Sequence, residues 1–193
     1  AGETDVLVDD EPTGFGPAVA VGVDGRTVLA ADADGRVARF DGDWETVGEV
    51  DGPRRFDGSL LAADGVYRVG DDCTYSGLDS VADVAAAVPL AATGAGVYRL
   101  GNGWMDEREG DFSVVASDGI RTHGVCDGDV LARPAPGEWV GVDVPVDGEV
   151  VDVSYTADAV VAVTESGTML VAGEEGWRTR ELGVRGVKAL AVE

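Results

Sequence analysis

One lysine, one histidine, one asparagine, one isoleucine and no glutamine occur among 193 residues, and each scarcity excludes something. With Lys188 the sole lysine and 14 basic residues against 37 acidic ones, no basic footprint exists for a nucleic-acid backbone. The lone His123 leaves a histidine relay without a second candidate. Cys126 lies three residues on, and odd spacing on a strand sends the two side chains to opposite faces. Cys73 and Cys126 are the only cysteines. They form neither a zinc spacing nor a disulfide framework, so both are expected as buried free thiols. No apolar run approaches the roughly 18 residues of a membrane helix. The opening "AGETDVLVDD" has neither a basic start nor an apolar core, so no secretory leader or membrane anchor is expected and the expected location is cytoplasmic. No glycine-rich phosphate loop precedes a helix. No cofactor, resident metal or catalytic residue is expected.

What is abundant is acid. The formal charge is −23 and the pI about 4.1. Repulsion on that scale strains a compact state in dilute buffer and is screened at molar salt, where the Debye length is about 3 Å. An acidic, lysine-poor surface is therefore read as adaptation to a salt-rich cytoplasm, rather than as a message to a partner.

The remaining pattern is repetition. "GRVARFDGDW", "GVYRVGDDC", "GVYRLGNGW", "RPAPGEW" and "GEEGW" close on Trp44, Cys73, Trp104, Trp139 and Trp177, and periods of this length mark arrays or propeller blades. Within a unit, short β-branched runs alternate with Asp-Gly turns, as in "PAVAVGV", "RTVLAADA", "RVARF" and "WETVGEV", which predicts four antiparallel strands per repeat. The predicted fold is an all-β propeller in one domain. It has a partial blade over 1–16, five blades over 17–50, 53–78, 80–109, 111–145 and 149–183, and a closing strand over 184–193. Either the two ends together make a last blade, or the chain is most of a longer ring; six and seven blades both remain open. The stretch "DSVADVAAAVPLAA" (79–92) has helical features, but its place in the repeat predicts two strands. The tryptophans are expected to wedge between neighbouring blades.

The hairpin-plus-tryptophan phrase resembles a worn Asp-box of sialidase-like propellers, without its Ser-x-Asp half. On "GFGPAVAVG", "DGRVARFDG", "VPLAATG", "LGNGW" and "GVRGVKALAV" the whole chain resembles a family of acidic β-propeller proteins of haloarchaea. That resemblance implies a fold, a lineage and a longer N-terminus that favours a seven-bladed parent ring; it carries no catalytic residue across.

Function is argued from the scarce cations. Arg54 and Arg55 sit together in the loop entering the second unit, and Arg185 and Lys188 follow the fifth. A basic spot on an acidic surface suits a carboxylate, a phosphate or an acidic protein segment. The third-strand arginines Arg39, Arg68, Arg99 and Arg133 are expected to reach carboxylates of the next blade. "DADGR" (32–36) and "DGD" (41–43) have only part of a calcium loop, and the first strands offer only Asp83 and Asp152 to a central channel. The expected function is a non-catalytic platform for another protein, with Arg54, Arg55, Arg185 and Lys188 as the binding residues. A metal-dependent hydrolase or isomerase, or a sensor of a small anionic ligand, is the alternative.

Overall fold

Asp-Gly turns and β-branched runs fold as their spacing predicts. The computed structural model describes residues 5–173 and 176–190. The first four residues of the expected partial blade, 174–175 of "GEEGW" and 191–193 of the expected closing strand lie outside it. No helix occurs among the described residues. The chain divides into two compact units, 1–86 and 87–193.

The first unit opens with a two-stranded hairpin, β1 (Leu7–Val8) and β2 (Glu11–Pro12). A four-stranded antiparallel sheet follows, of β3 (Ala20–Asp24), β4 (Thr27–Ala31), β5 (Arg36–Phe40) and β6 (Trp44–Glu49). The next is made of β7 (Arg55–Asp57), β8 (Leu60–Ala62), β9 (Val66–Val69) and β10 (Cys73–Gly77). Each strand pairs with its sequence neighbour, and Asp24 faces Thr27 across a two-residue turn. β11 (Val81–Ala85) ends the unit as first strand of a third sheet.

In the second unit that sheet continues with β12 (Leu90–Thr93), β13 (Gly96–Leu100) and β14 (Trp104–Glu109). The fourth sheet is β15 (Phe112–Ser117), β16 (Thr122–Cys126), β17 (Asp129–Ala135) and β18 (Glu138–Gly141). The fifth is β19 (Val150–Tyr155), β20 (Val160–Thr164), β21 (Thr168–Gly173) and β22 (Gly176–Glu181). Residues 79–92 thus form strands, because the two-strand slot of the repeat outweighs alanine's modest helical preference.

Burial falls off across each sheet. Second strands such as β16 are buried throughout, whereas the fourth strands β14 and β22 are largely exposed. Strands covered on both faces need no apolar–polar alternation. Leu29, Val37, Val47, Phe56 and Leu61 form the main core of the first unit; Val114, Val125, Val153, Ala162 and Leu170 form one in the second.

The tryptophans divide in role. Trp177 packs on the core shared by the fourth and fifth sheets, as expected of a wedge. Trp44 likewise lies between Phe15 of the segment before its sheet, 4.6 Å away, and Phe40 of its own sheet, 5.1 Å away, whereas Trp139 meets Phe112 of its own sheet edge-on at 5.4 Å. The expected closing strand is irregular over its described part, 184–190. The N–H groups of Gly186 and Val187 go to the Glu165 carbonyl and that of Leu190 to the Asp152 carboxylate.

Two local devices recur. In β6, β10 and β14 one extra residue bulges out of the ladder: Val47, Ser76 and Glu107 respectively. A bulge re-aims a side chain. Val47 is thereby turned into the core, and the Glu107 side chain is left only 4% exposed. The second device fastens the end of a sheet to its own hairpin. Gly35 and Gly167, with φ of +96° and +90°, stand where a Cβ would lie 2.3 Å from the Val50 carbonyl oxygen and 2.1 Å from that of Val184. Their own carbonyls accept the N–H groups of Val50 and Leu182.

Candidate functional site

The four cations singled out in the sequence are placed as follows. Arg54 reaches Asp64 at 3.0 Å and the Val81 carbonyl at 3.3 Å. Arg55 turns toward Asp83, 3.5 Å away, whose side chain is only 2% exposed. Lys188 lies 3.5 Å from Glu165, and Arg185 is exposed. Arg54, Arg55 and Lys188 are thus each matched to a carboxylate of their own unit. The arginine pair belongs to the first unit and Arg185 and Lys188 to the second.

Of the third-strand arginines, Arg39 bridges Glu45 of its own sheet and Asp71 of the next. Arg99 stays on Glu107 of its own sheet, Arg133 reaches back to the same Glu107, and Arg68 is exposed. The reach to a following sheet holds for Arg39. Glu107, turned inward by its bulge, captures the other two.

The inner-strand acids act as latches. Asp57 accepts the Ala86 N–H at 2.7 Å, and Asp152 accepts those of Val153 and Leu190 at 2.9 and 2.7 Å. Burial pushes the Asp57 carboxyl above its ordinary range despite the Ala86 N–H. In "DADGR" the Asp32 carboxylate takes the N–H groups of Asp34 and Arg36 and the Arg36 Nε. Its oxygens close a turn. Among the described residues no group of three or more His, Cys, Asp or Glu side chains is placed to hold a metal ion.

A concave site lies in the second unit, where the β15–β16 turn meets the β19–β20 turn. It is a cleft of about 480 Å³ lined by Asp118, Ile120, Arg121, Tyr155, Thr156 and Ala157. "SDGIR" (117–121) builds one wall. The Asp118 carboxylate accepts the Ile120 N–H at 2.9 Å, the Arg121 N–H at 2.6 Å and the Arg121 Nε at 2.8 Å. Burial alone would raise this carboxyl; the backbone N–H groups and the Arg121 guanidinium hold it below its ordinary value. Ser117 Oγ accepts the Gly119 N–H and lies 2.9 Å from Thr122 Oγ1. Arg121 then spans the cleft, donating to the Thr156 carbonyl and lying 4.9 Å over the Tyr155 ring.

Behind that ring Tyr155 donates its hydroxyl to the Ala116 carbonyl at 2.9 Å, and His123 Nδ1 is 3.0 Å from the Tyr155 hydroxyl oxygen. With the phenol proton directed to Ala116, Nδ1 is the donor, which leaves the imidazole proton there. Burial, then the nearby Arg121 charge, pushes the His123 pKa down, and burial pushes Tyr155 up. A neutral imidazole and a protonated phenol therefore support a rigid floor. On the rim stands Ile120, 93% exposed. Its sequence signal was its uniqueness, since the chain uses isoleucine nowhere else. Tyr155 and Thr156 carried no such signal.

Five four-stranded antiparallel sheets, strands in sequence order throughout, define an all-β repeat protein of the β-propeller class. The chain belongs to the family described as "Beta-prop_HVO_0234:-like, beta propeller", whose model matches residues 1–193. No match to a curated protein was found. Solved structures of similar fold include the computationally designed Ika8 protein, with a TM-score of 0.64 and 14% identity over 92% of this chain. The chain spans 66% of the length of that protein. YCF48 bound to D1 peptide is similar with a TM-score of 0.62 and 14% identity, over 95% of this chain and 72% of the other. The WD40 β-propeller domain of Doa1 gives 0.58 and 12%, over 89% and 84%. No helix among the described residues is long and apolar enough to cross a membrane.

Proposed function

We propose that the protein is a non-catalytic platform for another protein in a salt-rich cytoplasm, and that the partner docks at the Ile120 cleft. The observation that carries this reading is Ile120 itself. An isoleucine kept in water forgoes roughly 1.5–3 kcal/mol of burial free energy, and here it is held on an ordered turn beside a cavity. A docking partner recovers that free energy. Support by likeness comes from YCF48, a protein of similar fold whose structure holds a peptide. The arginine pair is the weaker candidate, because Arg54 and Arg55 are already engaged with Asp64 and Asp83.

The test is capture from the host at native salt, followed by mass spectrometry. A partner held by the wild-type protein is expected to fall at least tenfold with Ile120→Asp and to persist with the double change Arg54→Ala, Arg55→Ala. The reverse pattern removes the cleft and restores the arginine face.

The salt-rich setting rests on the −23 charge and the single lysine. Dialysis from molar salt into dilute buffer is expected to unfold the protein cooperatively, followed by circular dichroism, because the Debye length then grows from about 3 Å to 10 Å or more. A fold intact in dilute buffer removes that setting.

A further inference from the structure

We infer that the Ile120 cleft takes a segment of a partner protein in which an aliphatic or aromatic side chain stands next to a cationic one. This deepens the platform reading and rests on it. The apolar half follows from the rim and floor. Ile120 is fixed by the bonds of Asp118 and Ser117 around it, so it is presented without the disorder that contact would have to remove. The Tyr155 ring is held from behind by Ala116 and His123. The opposite wall is equally ordered: Thr156 exchanges bonds with Ala159, its Oγ1 and its own N–H both engaged. A volume of about 480 Å³ lies within the roughly 300–1,000 Å³ of pockets that enclose small ligands, so one large side chain and its neighbours fit.

The cationic half follows from how charge is distributed at the site. The single cation, Arg121, is engaged by the Asp118 carboxylate at 2.7 Å, by the Thr156 carbonyl and by the Tyr155 ring. That ion pair offers an incoming anion little. Beside Ala157, at the tip of the neighbouring turn, Asp158 is exposed. An incoming cation finds that carboxylate one residue from the Ala157 wall, at a contact range that molar salt does not screen, whereas an incoming anion meets repulsion from it.

Because Ile120 is the only isoleucine, labelling isoleucine δ1-methyl groups with ¹³C gives a single NMR resonance at the site. The probes are three blocked synthetic peptides, Gly-Ser-Arg-Leu-Arg-Ser-Gly, its Glu-Leu-Glu counterpart, and an Arg-Ser-Arg version. They are titrated at the lowest salt that keeps the protein folded. The Arg-Leu-Arg peptide is expected to shift the resonance saturably, with at least threefold higher affinity than the Glu-Leu-Glu peptide. The Arg-Ser-Arg peptide is expected to leave it in place, and Asp158→Asn to erase the preference for the cationic peptide.

Equal or better binding of the Glu-Leu-Glu peptide overturns the cationic half and leaves docking at the cleft standing. An equal response to the Arg-Ser-Arg peptide overturns the apolar half. No response to any peptide overturns the inference whole, and the capture experiment with Ile120→Asp then decides the platform reading on its own.

Discussion

Replacing Glu107 by valine is expected to lower stability by roughly 3–5 kcal/mol, the usual cost of breaking a buried ion pair from one side. Thermal unfolding at fixed salt measures it, and about 2–4 °C of Tm accompanies each kcal/mol in a chain of this size. Glu107 receives Arg133 through Nε at 2.7 Å and Nη2 at 2.6 Å, Arg99 through Nε at 2.9 Å, and the Gly137 N–H at 3.4 Å. The side chain of Arg133 is only 7% exposed, so the valine variant strands a guanidinium out of water. Valine itself suits the position, because Val47 occupies the same bulge in β6. The double variant Glu107→Val, Arg133→Leu is therefore expected to recover most of the loss, since well-packed apolar replacements of a buried pair are often neutral or stabilising. A double variant as unstable as the single one shows that the bulge, rather than the stranded charge, sets the cost.

Acid acts on the same cluster. Burial alone would raise the Glu107 carboxyl, but the hydrogen bonds and charge of Arg133, with help from Gly137 and Arg99, hold it below the ordinary 4.5. Its contribution is thus fully present above pH 4.5 and is lost as pH falls through the depressed value. The gap between wild type and Glu107→Val is expected to narrow in that range.

The second large effect belongs to Gly35. Alanine there is expected to cost roughly 1–2 kcal/mol for its left-handed backbone and about 1–3 kcal/mol more for the forced contact. The clash is with a backbone oxygen, that of Val50 at 2.3 Å, which cannot turn aside as a flexible side chain would. Gly167→Ala, against the Val184 oxygen, is expected to behave likewise. Gly42→Ala is the control: its φ is +89° but its Cβ direction is open. It isolates the backbone cost, and denaturant unfolding of the three variants separates the two contributions. Equal losses at Gly35 and Gly42 would sink the contact argument.

The strands were legible because turn chemistry is local. Asp24-Gly25 and Asp41-Gly42 announce their hairpins in two letters, and β-branched runs fill the space between. Glu107 was illegible for the opposite reason. In "WMDEREG" it reads as one more acid on an exposed outer strand, and only the bulge, set by pairing with β13, turns it inward. Arg54 and Arg55 were legible as scarce charge in an acidic chain, but their particular partners were not, because Asp64 and Asp83 approach them only after the sheet has folded. The cleft was half visible. Ile120 is conspicuous on composition alone, while Tyr155 arrives beside it from 35 residues further along the chain.

The hydrogen bonds of Val50 to Gly35 and of Leu182 to Gly167 each close within a single repeat, joining the second hairpin of a sheet to the chain that leaves it. A blade fastened in this way carries its own clasp. A tandem copy of its gene segment would arrive with that clasp complete, so the number of blades can change over evolutionary time without any neighbour having to supply a matching half.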